Sequence, residues 1–303
     1  MDLKSKIILI SGPTASGKSN FALKLAKKVG GEIINADSMQ VYKQLQILTA
    51  RPKKKEIKKI KHHLYGFFDV KKKYSTGEWL KLLLKKIKYI RKIKKVPIIV
   101  GGTGLYFKAL TDGLVKIPYI PLKVRNKIRS MQKKLGQKIF FNKLLILDPK
   151  IKGKIDKNDV QRSIRAYEIK YKTKKSIVDW FKRTKIFFSS EEFIKFYIDY
   201  PRGELLNRIN SRVEYMFKNG AIDEVRRFNK IGVKKENSSN KVIGIAEITN
   251  LLNNQCTLQE AKDLISIKTR QYAKRQVTWA RGQMQSWEKI NPENLNLILK
   301  KLK

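Results

Sequence analysis

The sequence predicts an α/β fold: a parallel β-sheet flanked by helices, with a helical insertion domain set into it. Three observations carry that prediction. Apolar runs with β-branched residues at 7–10, 32–35 and 96–100 are short enough to be buried strands, and amphipathic stretches of helical period separate them. The first run passes directly into a glycine-rich loop and then a helix, the order in which an open α/β sheet presents a ligand site beyond its strand ends. Between residues 115 and 190 the strand pattern stops and basic amphipathic helices replace it.

Ile7, Ile8, Leu9 and Ile10 form the first strand, and Gly12-Pro13-Thr14-Ala15-Ser16-Gly17-Lys18-Ser19 follows. This is G-x-x-x-x-G-K-[ST] between a strand and a helix, so the core is P-loop NTPase-like. Its glycines let backbone N–H groups close on phosphate oxygens, Lys18 adds a point charge, and the Ser19 hydroxyl can enter a Mg²⁺ shell. The motif specifies a polyphosphate without specifying its carrier. A helix over 19–29 leads to the strand at 32–35. Asp37, in Ala36-Asp37-Ser38-Met39-Gln40, comes just past that strand and therefore at the same sheet edge as the P-loop. Its carboxylate is a candidate general base or Mg²⁺ partner, and a cap opening the next helix is the competing role.

Residues 78–95 place Trp79, Leu82, Leu83, Ile87 and Ile90 at helical spacing with lysines opposite. The strand at 96–100 then runs into Gly101-Gly102-Thr103-Gly104, where Thr103 can donate to a phosphate oxygen or simply close a tight turn. No apolar strand ends in an Asp at the place of a Walker B magnesium partner, which argues against a motor-type ATPase. Within the insertion, 122–135 and 160–171 read as helices, the second carrying Gln161-Arg162-Ser163-Ile164-Arg165.

Residues 193–200 regain strand character until Pro201 stops it. Helices follow over 202–219, 221–229 and 241–252. Thr257-Leu258-Gln259-Glu260 is a capping box that opens a last helix running toward Met284. On that helix Arg270, Lys274 and Arg281 are spaced by four and seven residues and form one basic stripe. Arg, Gln and aromatic side chains around it, Arg275 and Gln276 among them, offer forks, amides and stacking faces that suit RNA better than lysines alone. The resulting division is a core of 1–114 and 191–290, an insertion of 115–190 and a basic tail of 291–303.

Composition sets the partner classes. The chain of 303 residues carries 69 Lys and Arg against 25 Asp and Glu, a net charge of +44. Such a field gathers polyanions, so nucleic acid, acidic membrane and phosphorylated ligands lead, although drift toward A/T-rich codons also yields excess lysine. No apolar run approaches the roughly 18–20 residues that span a bilayer. The N-terminal apolar run is too short for a signal peptide, and the single Cys256 can form no internal disulfide, so the expectation is a cytoplasmic protein. His62 and His63 are adjacent and point apart on any regular element, which favours a structural or RNA-facing role over metal ligation. Tyr42, Trp79, Tyr106 and Trp279 read as core packing ahead of base stacking. A kinase sharing the P-loop and sheet, and an RNA-binding protein whose phosphate site has lost its chemistry, both remain compatible with these residues.

Six segments in order closely resemble the tRNA dimethylallyltransferase (tRNA isopentenyltransferase) family across nearly the whole chain. They are the P-loop, Ala36-Asp37-Ser38-Met39-Gln40-Val41-Tyr42, His62-His63-Leu64, Gly101-Gly102-Thr103-Gly104-Leu105-Tyr106, Asp159-Val160-Gln161-Arg162-Ser163-Ile164-Arg165-Ala166, and residues 269–279. The resemblance implies Mg²⁺-dependent transfer of a dimethylallyl group from dimethylallyl diphosphate to the exocyclic amine of the adenosine 3′ to the anticodon. It implies that Asp37 accepts the amine proton and that Thr103 and Arg125 support the diphosphate and transition state. Arg208 and Arg212 become further phosphate candidates. Asp37, Ser38, Met39, Gln40, residues 161–165, Arg270, Lys274, Arg275, Gln276 and Arg281 become tRNA-facing, with the insertion over the anticodon arm and a monomer as the simplest state. The chain departs from the family pattern at Lys43-Gln44-Leu45-Gln46-Ile47-Leu48, where two glycines are missing, and at Lys61, Ile245 and Ala280.

Overall fold

The computed structural model describes residues 3–301. The chain forms two compact units, residues 1–111 with 188–303, and residues 112–187. In the first unit, β1 (Ile7–Ser11) leads through the glycine loop into α1 (Lys18–Val29) and then β2 (Gly31–Asn35). There follow α2 (Lys54–Lys59), β3 (His62–His63), α3 (Thr76–Lys92), β4 (Val96–Gly101) and α4 (Gly104–Thr111). The second unit holds α5 (Leu122–Leu147), α6 (Val160–Thr173) and α7 (Ile177–Phe181). The chain returns to the sheet as β5 (Phe193–Ile198). It ends through α8 (Arg202–Lys218), α9 (Ala221–Lys230), α10 (Ile245–Leu252), α11 (Leu258–Gln283), β6 (Glu288–Ile290) and α12 (Leu295–Lys301).

The strand order is β3-β2-β4-β1-β5-β6, and every pairing is parallel. All residues of β1, β2 and β4 are buried, the reason β1 and β4 are nearly continuously apolar instead of alternating, while β2 also buries Glu32 and Asn35. Phe21, Ala22, Leu25 and Ala26 of α1 cover one face of the sheet with Ile8, Ile10, Ile98 and Val100. Phe21 meets Phe196 edge to face at 6.1 Å. Each of the larger side chains, Phe, Leu, Ile or Val, contributes roughly 1.5–3 kcal/mol by leaving water. The register places Ser11 beside both Gly101 and Tyr197, and Asn35 beside Val100, so four strands end at one edge and their loops share it. In the second unit, Phe141 and Leu144 of α5 pack with Ala166 and Ile169 of α6 and Ile177 of α7.

Five details differ from the pattern read in the sequence. The sheet has six strands, because β3 and β6 are too short to show any periodicity. The helix read at 78–95 begins at Thr76, where the Ser75 hydroxyl and Glu78 form a capping box, and ends at Lys92 before Lys94 turns left-handed (φ 55°). The stretch read as one helix over 241–252 breaks into a 3₁₀ turn, Ser238–Lys241, and α10, because Gly244 sits at φ 107° between them. The helix read at 122–135 resumes after a kink at Gly136 (φ 72°, ψ 165°) and runs to Leu147. The segment read as a basic tail holds a 3₁₀ turn, Pro292–Asn294, and α12, whose Ile298 and Leu299 pack against the core under α1; residues 302 and 303 lie outside the described residues. Among the described residues, no helix is long and apolar enough to cross a membrane.

Candidate active site at the carboxyl edge of the sheet

The P-loop leaves β1 at this edge. Ala15 (φ 64°) and Gly17 (φ 84°) adopt left-handed backbone, and Gly17 caps α1 without any side-chain bond. The first N–H groups of α1 are thus left for an anion, the usual property of such a nest ahead of a helix. Within the loop the Ser16 hydroxyl is buried and has no partner. Lys18 bends back so that Nζ donates to the Pro13 carbonyl at 3.1 Å. Loss of solvent lowers its pKa from the ordinary 10.5 to about 8; Asp37 opposes the shift and Arg212 adds to it.

Two arginines of α8, four residues apart on one face, both reach this loop. Arg208 donates from Nε to the Ala15 carbonyl at 2.7 Å and lies over the Tyr200 ring. Arg212 donates from Nη1 to the Thr14 hydroxyl at 2.9 Å. Burial presses its guanidinium below the ordinary value, while Asp37 and Tyr272 push the other way. Arg212 shares a cavity of about 280 Å³ with Thr14 and Asp37, so it is the better placed of the two to meet reacting atoms.

Asp37 sits in a turn. Its N–H donates to Asn35 Oδ1 at 2.8 Å, and Asn35 Nδ2 donates to the carbonyls of Asp37 and Leu64 at 2.9 and 3.0 Å. Met39 N–H donates to Asp37 Oδ1 at 2.9 Å. The next helix starts only at Lys54, so the helix-cap role weighed for Asp37 does not apply. The cavity it lines is apolar opposite, with Leu48, Met216 and Val242. A second cavity, also about 280 Å³, is lined by Gly12, Thr103, Tyr197 and Trp279. Met39, Tyr272 and Arg275 border both.

Thr103 serves first as a connector. Its hydroxyl accepts from Ser38 N–H at 3.0 Å and is within hydrogen-bond reach of Tyr272, whose phenol burial holds in its neutral form. Gln276, expected to face RNA, instead turns inward. Its Oε1 accepts from Thr14 N–H at 2.8 Å and its Nε2 donates to the Gly102 carbonyl at 2.9 Å. On the same helix Arg270, Lys274, Arg275 and Arg281 are exposed. Gln40 also works within the protein, donating to the Thr49 carbonyl at 2.8 Å. Ser19 stands exposed at the start of α1.

In the second unit Gln161 and Arg162 are exposed. Ser163 is fully buried, donates to the Asp159 carbonyl and accepts from Gln137, so its side chain faces inward, because successive residues of a helix point to different sides. Ile164 and Arg165 are half-buried, and Arg165 pairs with Glu168 at 3.1 Å. Arg125 lies in the first turn of α5 with its Nε buried and unpartnered.

His63 is buried, with Nε2 2.7 Å from Glu32 Oε2, and His62 Nδ1 contacts the Ile60 carbonyl at 2.7 Å. Among the described residues no group of three or more His, Cys, Asp or Glu could hold a metal. Trp79 is core, stacked on Tyr106 at 4.1 Å with Nε1 donating to the Asn35 carbonyl. Sequence reasoning missed Asn35, Tyr272 and Glu224. Glu224, on α9 and buried, accepts N–H bonds from Gln46, Ile47 and Leu48 at 2.7–3.1 Å. It holds the segment that lacks the family's glycines.

Fold and site together define a P-loop α/β protein whose phosphate-type loop shares a cavity with the Asp37 carboxylate and borders a second one. A sequence model of the IPP transferase family matches residues 40–283, and the chain belongs to that family. It is 64% identical to a tRNA dimethylallyltransferase of Pelagibacter ubique over all of this chain and 97% of that one. Its structure is similar to the full-length tRNA isopentenylpyrophosphate transferase of Bacillus halodurans (TM-score 0.70, 29% identity, 98% and 95% of the two chains). It is similar also to a eukaryotic dimethylallyltransferase acting on tRNA (TM-score 0.78, 32% identity, 91% and 69%).

Proposed function

We propose that this chain transfers a dimethylallyl group from dimethylallyl diphosphate to N6 of the adenosine 3′ to the anticodon of tRNA. The observation that carries the reading is the convergence of Asp37, Thr14 and Arg212 on one cavity beside a P-loop whose following helix opens without a side-chain cap. The amine nitrogen attacks C1 of the prenyl group, the C1–O bond breaks with its electrons going to diphosphate, and Asp37 takes the amine proton. Backbone N–H groups, Lys18 and Arg212 hold the charge that grows on the leaving diphosphate, where preorganised donors act most strongly. Arg125 and Arg208 are additional phosphate-facing candidates, Arg208 from outside the cavity.

The donor set suits Mg²⁺ held chiefly by the ligand. The protein offers the exposed Ser19 hydroxyl and, among the described residues, no carboxylate cluster, and Mg²⁺ commonly keeps its waters and takes phosphate oxygens. When bound, the ion would neutralise diphosphate charge. The adenine must leave the anticodon-loop stack at a cost of a few kcal/mol, which contacts from Arg270, Lys274, Arg275, Arg281 and the insertion's Gln161 and Arg162 would offset. The test is nucleoside mass spectrometry of unmodified tRNA incubated with the protein, Mg²⁺ and dimethylallyl diphosphate, with ATP in a parallel reaction. A dimethylallyl mass gain on adenosine is expected. Its absence with folded, RNA-binding protein, or phosphate transfer from ATP, overturns the reading.

A further inference from the structure

We infer that Gln276 is a positioning residue that ties the P-loop to the loop after β4, and that its role is on the diphosphate side of the site and not on the RNA side. The inference rests on the proposed transfer for its consequence in catalysis, but not for its test. A single side-chain amide spans two loops that come from different strands. Oε1 accepts from the N–H of Thr14, and Nε2 donates to the carbonyl of Gly102. Both ends are therefore committed, and the amide can sit only one way round, since the flipped form would oppose two donors and two acceptors.

The fit around it is tight. A Cβ on Gly102 would stand 2.1 Å from Gln276 Nε2 and 3.5 Å from the Gly12 carbonyl oxygen, so only glycine lets the amide approach the chain there. The consequence reaches both halves of the phosphate site. Thr14, whose backbone the amide holds, also presents the hydroxyl that receives Arg212. Gly102 precedes Thr103, whose hydroxyl holds the backbone of Ser38 next to Asp37. Gln276 thus sets the spacing between the cradle and the turn that carries the carboxylate. Its neighbours Lys274 and Arg275 are exposed, so the same turn of α11 presents cations outward and this amide inward.

Gln276→Leu keeps the volume and removes both bonds. Its dissociation constant for inorganic diphosphate with Mg²⁺ should rise about tenfold, the scale of two lost hydrogen bonds, and exchange of the Thr14 amide hydrogen should accelerate. Affinity for an anticodon stem-loop and its salt slope should stay unchanged. The reverse pattern, weaker RNA binding with unaltered diphosphate affinity and Thr14 exchange, overturns the inference. Gly102→Ala provides the check should the leucine variant not fold: the methyl displaces the amide, so it should give the same selective loss. In the Gln276→Ala background, Gly102→Ala should add less than about twofold, because the clash is gone. A full additive loss in that background sinks the inference as well. None of these readouts needs prenyl transfer, so a failure of the proposed activity and a failure of the tie are separable.

Discussion

The P-loop and the 36–50 loop leave neighbouring parts of the same sheet edge, yet different forces hold them in shape. The P-loop takes its turn from its own backbone, with Ala15 and Gly17 left-handed and Lys18 folded back on the Pro13 carbonyl, while Gln276, Arg208 and Arg212 reach it from outside. The 36–50 loop begins the same way, with Asn35 and Asp37 bonding their own backbone. Its far half adds a turn of its own, with the Ala50 N–H on the Ile47 carbonyl and the Thr49 hydroxyl on the Leu45 carbonyl, but the N–H groups of Gln46, Ile47 and Leu48 go to the carboxylate of Glu224, about 180 residues later in the chain. A loop that must wrap an anion gives few of its N–H groups away, so its order comes largely from backbone geometry and from arginines that bind its oxygens, with the Thr14 N–H given to Gln276. A loop that only walls a cavity can give its N–H groups to a distant side chain.

The largest effect that separates the two falls on Asp37. Asp37→Asn keeps an oxygen to accept from Met39 N–H, so the turn stays, while the basicity is lost. Single-turnover transfer should fall by about 10²–10⁴ with stem-loop affinity unchanged, as expected for loss of a positioned base. Transfer at the wild-type rate would show that this loop positions without reacting.

Glu224→Gln tests the other half of that loop. Its two carboxylate oxygens serve three N–H groups, and an amide must turn a donor toward at least one of them. The expected cost is about 1–3 kcal/mol, or about 2–4 °C of thermal midpoint per kcal/mol, with faster proteolytic nicking in 43–50. The P-loop should be untouched, so Lys18 should titrate as before. An unchanged midpoint and nicking rate would mean that the loop holds itself.

The same contrast decides what could be read in advance. The P-loop, Asp37 and the strands that carry them are local patterns, so the sequence places them at one sheet edge before any contact is known. The basic stripe of Arg270, Lys274 and Arg281 follows from helical spacing, and all three are exposed. The roles of Glu224 and Gln276 were not legible, because each depends on a partner more than 170 residues away. Gln276 stood among cations and was grouped with them, although a spacing of four from Tyr272 put it on the inward face. β3 and β6 escaped notice because two or three residues carry no period, and parallel pairing leaves no hairpin signal.

The smallest effect concerns Lys18, and it has a sign that the 36–50 loop does not share. The free protein holds this lysine at about 8, well below its ordinary 10.5, chiefly because the loop strips it of water. A diphosphate beside it favours the charged form and raises the value again. Diphosphate affinity should therefore be flat below about pH 8 and fall about tenfold per pH unit above it, until the pKa of the bound state is reached. Stability should move the opposite way. Between about pH 8 and 10.5 the unfolded chain binds more protons at this site than the folded one, so Lys18 adds stability as pH rises through that window. Calorimetric titrations with dimethylallyl diphosphate, paired with thermal midpoints at the same pH values, read both signs. Lys18→Met should remove the fall in affinity and the matching rise in midpoint together. If affinity stays level from pH 7 to 9.5 in the unaltered protein, the loop does not hold Lys18 in this poised state, and its order owes less to crowding around the lysine than to the left-handed backbone at Ala15 and Gly17.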